Sequence, residues 1–201
     1  MSGFAGISVD EAVIRRARRG DAGAHESLYR ALAPAVYTLA LRLVKAPAAA
    51  EDMLQETFIE VMRSLPRYRG DASLATWVRR IAVSKCLMHL RSAWNRRAGE
   101  FGDGDSHEPV DGGAPVADSV GLRMDLEAAL ASLPAESRVV VWLHDVEGYT
   151  HREIGMAMQK TESYSKSQLS RAHRRLRGLL DGGAGEPGDA MSRATGALPG
   201  G

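Results

Sequence analysis

The stretch RSLPRYRGDASLATWVRRIAVSKCLMHLRSAWNRR, residues 63–97, sets the organisation of the chain. It combines many cations with a single acid, Asp71, although the formal net charge of the 201-residue chain is only +1. Its cations are Arg63, Arg67, Arg69, Arg79, Arg80, Lys85, Arg91, Arg96 and Arg97. Positive charge clustered in this way is typical of a protein that binds a polyanion.

Aromatic residues are interleaved with these cations at Tyr68, Trp77 and Trp94. Residues 66–73 are rich in turn-forming types, and apolar residues then recur at helical spacing from Trp77 to Leu90. The pattern predicts a loop followed by a helix with one apolar and one cationic face. Because arginine pairs with phosphate and aromatic rings stack on unpaired bases, the segment favours single-stranded nucleic acid. The alternative interpretation is a solvated arginine-rich helix whose Trp77 belongs to the core.

The overall composition indicates a soluble, all-helical chain. Apolar residues make up 44% and charged residues 25%, whereas aromatic residues make up only 5%. Alternation typical of strands is rare, and Ala, Leu, Arg and Glu dominate the periodic segments. No run approaches the length of a membrane span and the N-terminus lacks a signal-peptide pattern, so we expect a cytoplasmic protein. The single cysteine, Cys86, excludes an internal disulfide and is expected to be buried.

Three helices are predicted ahead of the basic segment. Residues 1–9 are expected to be frayed, and the first helix to begin after Ser8 or Asp10. A second helix follows with Pro34 inside it, and a third covers residues 48–65. This third helix has an apolar stripe and an opposite polar face, which on its own is most simply a solvated surface. The polar face carries Glu51, Asp52, Gln55, Glu56 and Glu60.

Residues 98–121 change abruptly to Gly, Pro, Ala and acidic residues, with no Lys or Arg. This composition predicts a flexible acidic linker between two domains. Asp103, Asp105 and His107 alternate within it, but a glycine-rich frame without supporting partners argues against a metal site. Residues 181–201 are again rich in Gly, Ala and Pro, which predicts a disordered tail.

Helical periodicity returns over residues 122–180. A leucine stripe ends at Pro134, a second helix ends at Gly148, and Thr150-His-Arg-Glu153 has the form of a capping box for the next helix. A short turn at residues 159–161 leads to a last, cationic helix, so the final two helices are typical of a helix-turn-helix. The turn contains no glycine, and the alternative is an ordinary helical hairpin. The stripe consists of Leu122, Leu126, Leu130 and Leu133, and the last helix carries Lys166, Arg171, Arg174, Arg175 and Arg177.

Three ordered blocks resemble the extracytoplasmic-function sigma factors, the smallest class of the bacterial sigma-70 family. They are Glu51-Asp-Met-Leu-Gln-Glu-Thr-Phe58, then Tyr68-Arg-Gly-Asp71 with Thr76-Trp-Val-Arg-Arg-Ile81, then Gly148-Tyr-Thr-His-Arg-Glu-Ile154 with Lys166-Ser-Gln-Leu169. The resemblance covers about residues 10–180 apart from most of the linker. It implies that residues 10–97 bind core RNA polymerase and recognise and melt the minus-ten promoter element. Residues 122–180 would recognise the minus-thirty-five element.

The resemblance also implies roles for individual residues. The residues implied to dock on the clamp helices of the largest polymerase subunit are Asp52, Gln55 and Glu56. The loop at residues 68–75 would capture a flipped base of the minus-ten element. The residues implied to bind minus-ten DNA are Tyr68, Arg69, Asp71, Ser73, Trp77, Arg79, Arg80, Ser84 and Lys85. In the last helix the major groove would be read by Lys166, Ser167, Ser170 and Arg171, and phosphates contacted by Arg174 and Arg175.

The chain departs from the family pattern at two places. Relatives usually carry Leu-Gly where this chain has Met158-Gln159, and Gly-Thr-Val where it has Ser163-Tyr164-Ser165. Because the segment has the same length as in the family pattern, we expect the same fold. The base contacts of relatives cannot be transferred to Ser163 to Lys166.

The expected function is therefore a promoter-specificity subunit without an active site or cofactor of its own. An anti-sigma factor is a further partner common among relatives, although no residue here identifies one. The alternative is a stand-alone helix-turn-helix regulator with a ligand-sensing N-terminal domain, which leaves the basic loop and the acidic face unexplained. A hydrolytic or metal enzyme is disfavoured, because capping and solvated roles account for its candidate residues. Those candidates are His144, Asp145, His151 and Glu153.

Overall fold

The computed structural model describes residues 3–100 and 128–182, with side chains for residues 3–96 and 128–179. These ranges contain helices and turns and no strand, which confirms the all-α prediction. Most of the predicted linker and tail lies outside the described residues, as do Leu122 and Leu126. No helix within the two described ranges is both long enough and apolar enough to cross a bilayer.

The N-terminal part is a helical bundle, and its first two helices begin at a capping aspartate. Its elements are α1 (Glu11–Ala17), α2 (Ala22–Val44), α3 (Pro47–Ser64), a 3₁₀ turn (Leu65–Arg67) and α4 (Leu74–Glu100). The Asp10 carboxylate accepts a hydrogen bond from the Ala12 amide at 2.6 Å, which confirms the predicted start of α1. The Asp21 carboxylate caps α2 in the same way, from the Ala24 amide at 2.7 Å.

The prediction that residues 1–9 are frayed is wrong for the part that the structure describes. Phe4 is only 6% exposed and belongs to the apolar core. Its carbonyl accepts a hydrogen bond from the Ile7 amide, and Gly6 closes this turn with a φ of +82°. Gly3 lies against Ala35 of α2. The buried Phe4 ring, with Ile7 and Val9 packed against the core, holds the segment on the bundle.

Helix α4 packs against both α2 and α3. Its buried face is formed by Leu74, Ala75, Val78, Ala82, Val83, Cys86, Leu87 and Leu90. Trp77 and Ile81, which begin the apolar series in the sequence, lie half-buried at the edge of this face. Cys86 is fully buried as predicted, and burial raises the pKa of its thiol to about 12.

The C-terminal part is a second helical unit. Residues 128–131 are helical, followed by α5 (Ala135–Val141), a π-helical turn (Trp142–Val146), α6 (His151–Met158) and α7 (Glu162–Gly182). Val139, Leu143 and Ile154 are fully buried in its centre. The buried Ser137 hydroxyl donates to the Gln168 side-chain oxygen at 2.7 Å, which ties α5 to α7.

The turn between α6 and α7 explains how a helix-turn-helix forms without a glycine in the turn. Thr150 and Glu153 form the predicted capping box at the start of α6. At its end, Gln159 adopts the left-handed conformation with a φ of 56°, at the position where the family pattern described above has glycine. A required glycine lies one turn earlier. A Cβ on Gly155 would stand 3.0 Å from the carbonyl oxygens of both Lys160 and Thr161, closer than ordinary packing allows.

We therefore expect Gly155→Ala to lower the free energy of unfolding by about 1–3 kcal/mol, because the added methyl group overpacks the turn. Gln159→Gly should raise it by about 1 kcal/mol, since the left-handed conformation then carries no Cβ penalty. Urea unfolding of the full chain followed by circular dichroism measures both. Gly178→Ala is the matched control, because nothing lies within 4 Å of the Cβ it adds on α7. Equal stability of the two alanine variants would contradict the packing argument.

Candidate nucleic-acid and polymerase interfaces

The loop before α4 is held by an aromatic pair and by its own hydrogen bonds. Tyr68 and Trp77 contact each other in a tilted arrangement with ring centroids 5.2 Å apart, and the Tyr68 hydroxyl donates to the Ala72 carbonyl. Gly70 turns the chain with a φ of +84°. Burial, with smaller contributions from Glu11 and Asp71, raises the pKa of the Tyr68 phenol, so it stays a neutral donor. These contacts fix the conformation of the loop between the 3₁₀ turn and α4.

Arg69, Asp71 and Ser73, which the resemblance singled out in the loop, are all exposed but differ in their contacts. Arg69 and Asp71 are exposed at the tip of the loop. Ser73 instead caps α4, because its hydroxyl accepts a hydrogen bond from the Thr76 amide at 3.2 Å. The Ser73 carbonyl accepts a second one from the Trp77 amide at 3.0 Å. Ser73 therefore has a local structural role that the sequence did not reveal.

The polar residues of α4 do not share one face, although the sequence groups them. Arg80 and Ser84 are exposed on the outside of the bundle. Arg79 points about 100° away from Arg80, because an α-helix has 3.6 residues per turn. Lys85 lies half-buried toward α3, with its Nζ 3.9 Å from an oxygen of the Glu56 carboxylate.

Arg79 is in contact with the C-terminal unit. Its Nη1 donates to the Glu147 carbonyl at 2.8 Å and lies 3.3 Å from the Glu147 carboxylate. Its guanidinium carbon stands 5.3 Å from the centre of the Tyr149 ring, within the range of a cation–π interaction. Glu147 is only 5% exposed. Burial raises the pKa of the Tyr149 phenol, and the Arg79 charge acts in the opposite direction.

The acidic face of α3 is exposed as predicted, and it has an apolar neighbour that sequence reasoning missed. Asp52, Gln55 and Glu56 all face solvent, whereas Met53, Phe58 and Val61 are buried on the other side. Ile59 is 68% exposed and follows Gln55 by four residues and Glu56 by three, so it extends the same surface. Ile59 could have been identified from the sequence, because it occupies a position where the helical period predicts a polar residue.

In α7 the predicted reading residues form one shallow surface. It is lined by Lys166, Ser167, Ser170, Arg171 and Arg174. Arg175 lies beside it, and with Arg171 it borders a small cavity of about 150 Å³ next to the buried pair Ser137 and Gln168. Lys166 is paired with Glu162 at 2.6 Å, and that hydrogen bond lowers the pKa of the Glu162 carboxyl.

Ser165, at the family departure, is fully buried and meets the His151 ring nitrogen at 3.1 Å. This hydrogen bond therefore connects the start of α7 to the start of α6. Ser165 is part of the segment that departs from the family pattern, so it bears on the expected base contacts. Its burial also contributes to the packing of the helix-turn-helix.

The residues considered for an enzymatic site are engaged with one another. Asp145 meets His144 at 2.8 Å and His173 at 2.6 Å, and His144 stacks on His151 with centroids 4.5 Å apart. Burial alone would raise the pKa of Asp145, but the hydrogen bonds with His173 and His144 outweigh it and hold the pKa below its usual value. Glu153 belongs to the capping box. In residues 3–100 and 128–182, no cluster of three or more His, Cys, Asp or Glu has the arrangement of a metal site.

Comparison with protein families gives two matches along the chain. The profile described as Sigma-70 region 2 matches residues 28–96, and the profile described as Sigma-70, region 4 matches residues 123–176. The first includes α3, the loop and most of α4. The second includes α5, α6 and most of α7.

Similar proteins and a similar structure agree with these matches. The RNA polymerase sigma-H factor of Pseudomonas aeruginosa is 30% identical over 175 residues, which covers 81% of this chain and 89% of that protein. The RNA polymerase sigma factor CarQ of Myxococcus xanthus is 31% identical, covering 83% and 95%. The ECF RNA polymerase sigma factor SigM of Mycobacterium tuberculosis is 30% identical, covering 80% and 79%. Among solved structures, the sigma factor RpoE in complex with the anti-sigma factor NepR from Bartonella quintana has the same fold. Its TM-score is 0.52 at 23% identity, with 78% of this chain and 96% of that chain covered.

Proposed function

We infer the roles of individual surfaces from one premise: the chain belongs to the extracytoplasmic-function sigma factors of the sigma-70 family. Like them, it binds core RNA polymerase and directs promoter-specific transcription initiation. A stand-alone helix-turn-helix regulator is not favoured, because the Sigma-70 region 2 profile matches residues 28–96, outside the helix-turn-helix. The polymerisation chemistry belongs to core polymerase, and this chain contributes binding energy and promoter choice in the cytoplasm.

Residues 10–97 form the minus-ten domain in this proposal, and residues 122–180 form the minus-thirty-five domain. Residues 98–121 connect them, and residues 181–201 form the tail. An anti-sigma factor is a further proposed partner, as NepR is for the Bartonella RpoE.

The observation that carries the proposal is the separation of three surfaces on two units. Asp52, Gln55, Glu56 and the neighbouring Ile59 are exposed together on α3 and form the polymerase-docking surface. The exposed loop tip and the outer face of α4 with Arg80 and Ser84 form the surface for melted DNA. The shallow cationic surface of α7 forms the duplex-reading surface. The single experiment that tests the assignment is run-off transcription by this chain with core polymerase on a library of genomic fragments.

Charge reversal of the docking surface provides the first test. Asp52→Arg combined with Glu56→Arg should weaken binding to core polymerase at least tenfold, about 1.4 kcal/mol or more, because opposite charges at an interface become like charges. Co-purification with core and a fluorescence titration measure the affinity. Circular dichroism should show unchanged helicity, since both side chains are exposed. Glu26→Arg, at an exposed position of α2, is the matched control, and native affinity of the double variant would exclude α3 as the docking surface.

The reading surface of α7 should separate sequence readout from phosphate contact. Lys166→Ala and Arg171→Ala are expected to reduce preference for a matched upstream element over a scrambled one, by about 1–3 kcal/mol per lost base contact. Arg174→Ala should weaken duplex binding on both sequences and lower the salt dependence. Electrophoretic mobility shifts of holoenzyme at several salt concentrations measure both effects, with Arg15→Ala on α1 as the control. An equal loss of affinity on matched and scrambled DNA in all three variants would contradict the assignment of Lys166 and Arg171 to base readout and of Arg174 to phosphate contact.

The loop tip is expected to act after duplex binding, at strand opening. A base that leaves its stack costs a few kcal/mol, which is recovered only where polar groups meet its edge. Arg69→Ala combined with Asp71→Ala should leave promoter binding by holoenzyme intact and abolish permanganate-reactive thymines. Transcription should return, at least in part, on a template whose minus-ten region is already unpaired by mismatches.

These two positions avoid Ser73, whose substitution would also remove the cap of α4. Ser73→Ala is the corresponding control for loss of helix stability, about 1 kcal/mol. Normal permanganate reactivity of the Arg69 and Asp71 double variant on fully paired DNA would exclude the loop tip as the base-binding element.

A further inference from the structure

Helix α7 packs on the C-terminal unit through a narrow stripe of apolar side chains. Leu169, Ala172 and Leu176 are buried and follow one another at spacings of three and four residues, so they lie along one side of the helix. Apolar contact is non-directional, and a stripe of this width tolerates rotation of the helix about its own axis. The rotation of α7 therefore depends on directional contacts beside the stripe.

Directional contacts lie on both sides of this stripe. On one side the Gln168 side-chain oxygen accepts a hydrogen bond from the buried Ser137 hydroxyl of α5 at 2.7 Å. On the other side His173 Nε2 meets an oxygen of the Asp145 carboxylate, in the π-helical turn, at 2.6 Å. At 100° per residue, Gln168 and His173 point about 140° apart around α7, with the apolar stripe between them. The two contacts therefore oppose rotation in either direction.

The Asp145 contact continues through the unit to a second point on α7. The other Asp145 oxygen meets His144 Nδ1 at 2.8 Å, and the His144 ring stacks on the ring of His151 at the start of α6, with centroids 4.5 Å apart. His151 Nδ1 meets the buried Ser165 hydroxyl at 3.1 Å. Because an α-helix rises 1.5 Å per residue, Ser165 and His173 are contacted at points about 12 Å apart along α7.

Both contact points adjoin residues assigned to DNA, since Ser165 precedes Lys166 and His173 precedes Arg174. With its side chains a helix has a radius of about 5–6 Å, so a rotation of about 20° moves the ends of those side chains by about 2 Å. A base contact has to be placed within about 0.5 Å. A phosphate contact carries no sequence information, and a long arginine can follow the displaced phosphate. Rotation of α7 would therefore reduce sequence discrimination more than total affinity.

We propose that Asp145 is a positioning residue for promoter recognition: by accepting hydrogen bonds from His144 and His173, it fixes the rotation of α7 on which discrimination between upstream sequences depends. This role rests on the proposed assignment of α7 to duplex reading. The carboxylate is the acceptor in both bonds, because it has no proton to donate when ionised. The side chains of Asp145 and His173 are 35% and 42% exposed, and pairs so exposed contribute little to stability. Asp145 therefore acts through the direction of its bonds.

Discrimination by holoenzyme measures this role. The ratio of affinities for a matched and a scrambled upstream element, from mobility shifts, should fall about fivefold or more in Asp145→Ala and in His173→Leu, which is the size of one lost base contact. Affinity for the scrambled element should not fall, because the phosphate contacts remain. Glu136→Ala is the matched control, because it removes a carboxylate from α5 of the same unit. An equal fall in the control would assign the effect to net charge and overturn the proposal.

A conservative substitution separates positioning from a general structural role. Glutamine carries an amide nitrogen at about the reach of histidine Nε2, so His173→Gln keeps a donor for Asp145 and should restore discrimination to within about twofold of native. Asp145→Ala should have little further effect when Lys166→Ala and Arg171→Ala are both present, because the contacts that it displaces are already absent. The proposal is overturned if His173→Gln loses as much discrimination as His173→Leu, or if Asp145→Ala has its full effect in that background.

The same measurements separate failure of this proposal from failure of the proposed function. If native holoenzyme prefers the matched element and Lys166→Ala loses that preference, but Asp145→Ala and His173→Leu keep it, Asp145 has no positioning role and the assignment of α7 stands. Equal affinity of native holoenzyme for both elements overturns the assignment of α7 and the proposal with it. Where circular dichroism shows that Asp145→Ala lowers helicity, the pair His173→Leu and His173→Gln decides, because that side chain lies on the surface of α7.

Discussion

Helix α4 must bury one face in the N-terminal bundle and keep another face cationic, and the other surfaces of the molecule depend on this constraint. Val78 and Ala82 have no exposed surface, whereas Arg80, about 200° around the helix from Val78, is open to solvent. The apolar face fixes the rotation of α4 against α2 and α3. That rotation in turn decides which cations can reach nucleic acid and which are held by protein groups.

Two half-buried cations of α4, Lys85 and Arg79, contact acidic residues on different elements. Lys85 faces Glu56, so α4 and α3, to which we assign DNA binding and polymerase docking, share an ion pair at 3.9 Å. Such a pair between partly exposed groups contributes little stability. Arg79 faces the buried Glu147, where loss of one partner would leave a charge without compensation. The contact with the C-terminal unit therefore has the greater consequence for conformation.

Local sequence rules are satisfied almost everywhere and are broken where two elements approach closely. Gln159 takes a backbone conformation that favours glycine, and Gly155 provides the close approach that the turn needs. The Ser73 hydroxyl, which the resemblance assigned to DNA, also caps α4. Phe4 was expected to be frayed and instead occupies the core. Contacts between neighbouring elements, or hydrogen bonds at a helix end, decided these outcomes.

By itself, the sequence determined the helical class, a first helix start after Ser8 or Asp10, the capping box at Thr150, and the exposure of the acidic face of α3. These features follow from periodicity and capping, which act over three or four residues. Only the tertiary structure decided that Arg79 is covered while Arg80 is free, because the answer depends on a residue 68 positions away in the chain. It also revealed Ile59 beside the docking residues, since exposure of one apolar side chain depends on the rotation of the whole helix. Contacts between residues so far apart in the chain leave no periodic pattern in the sequence.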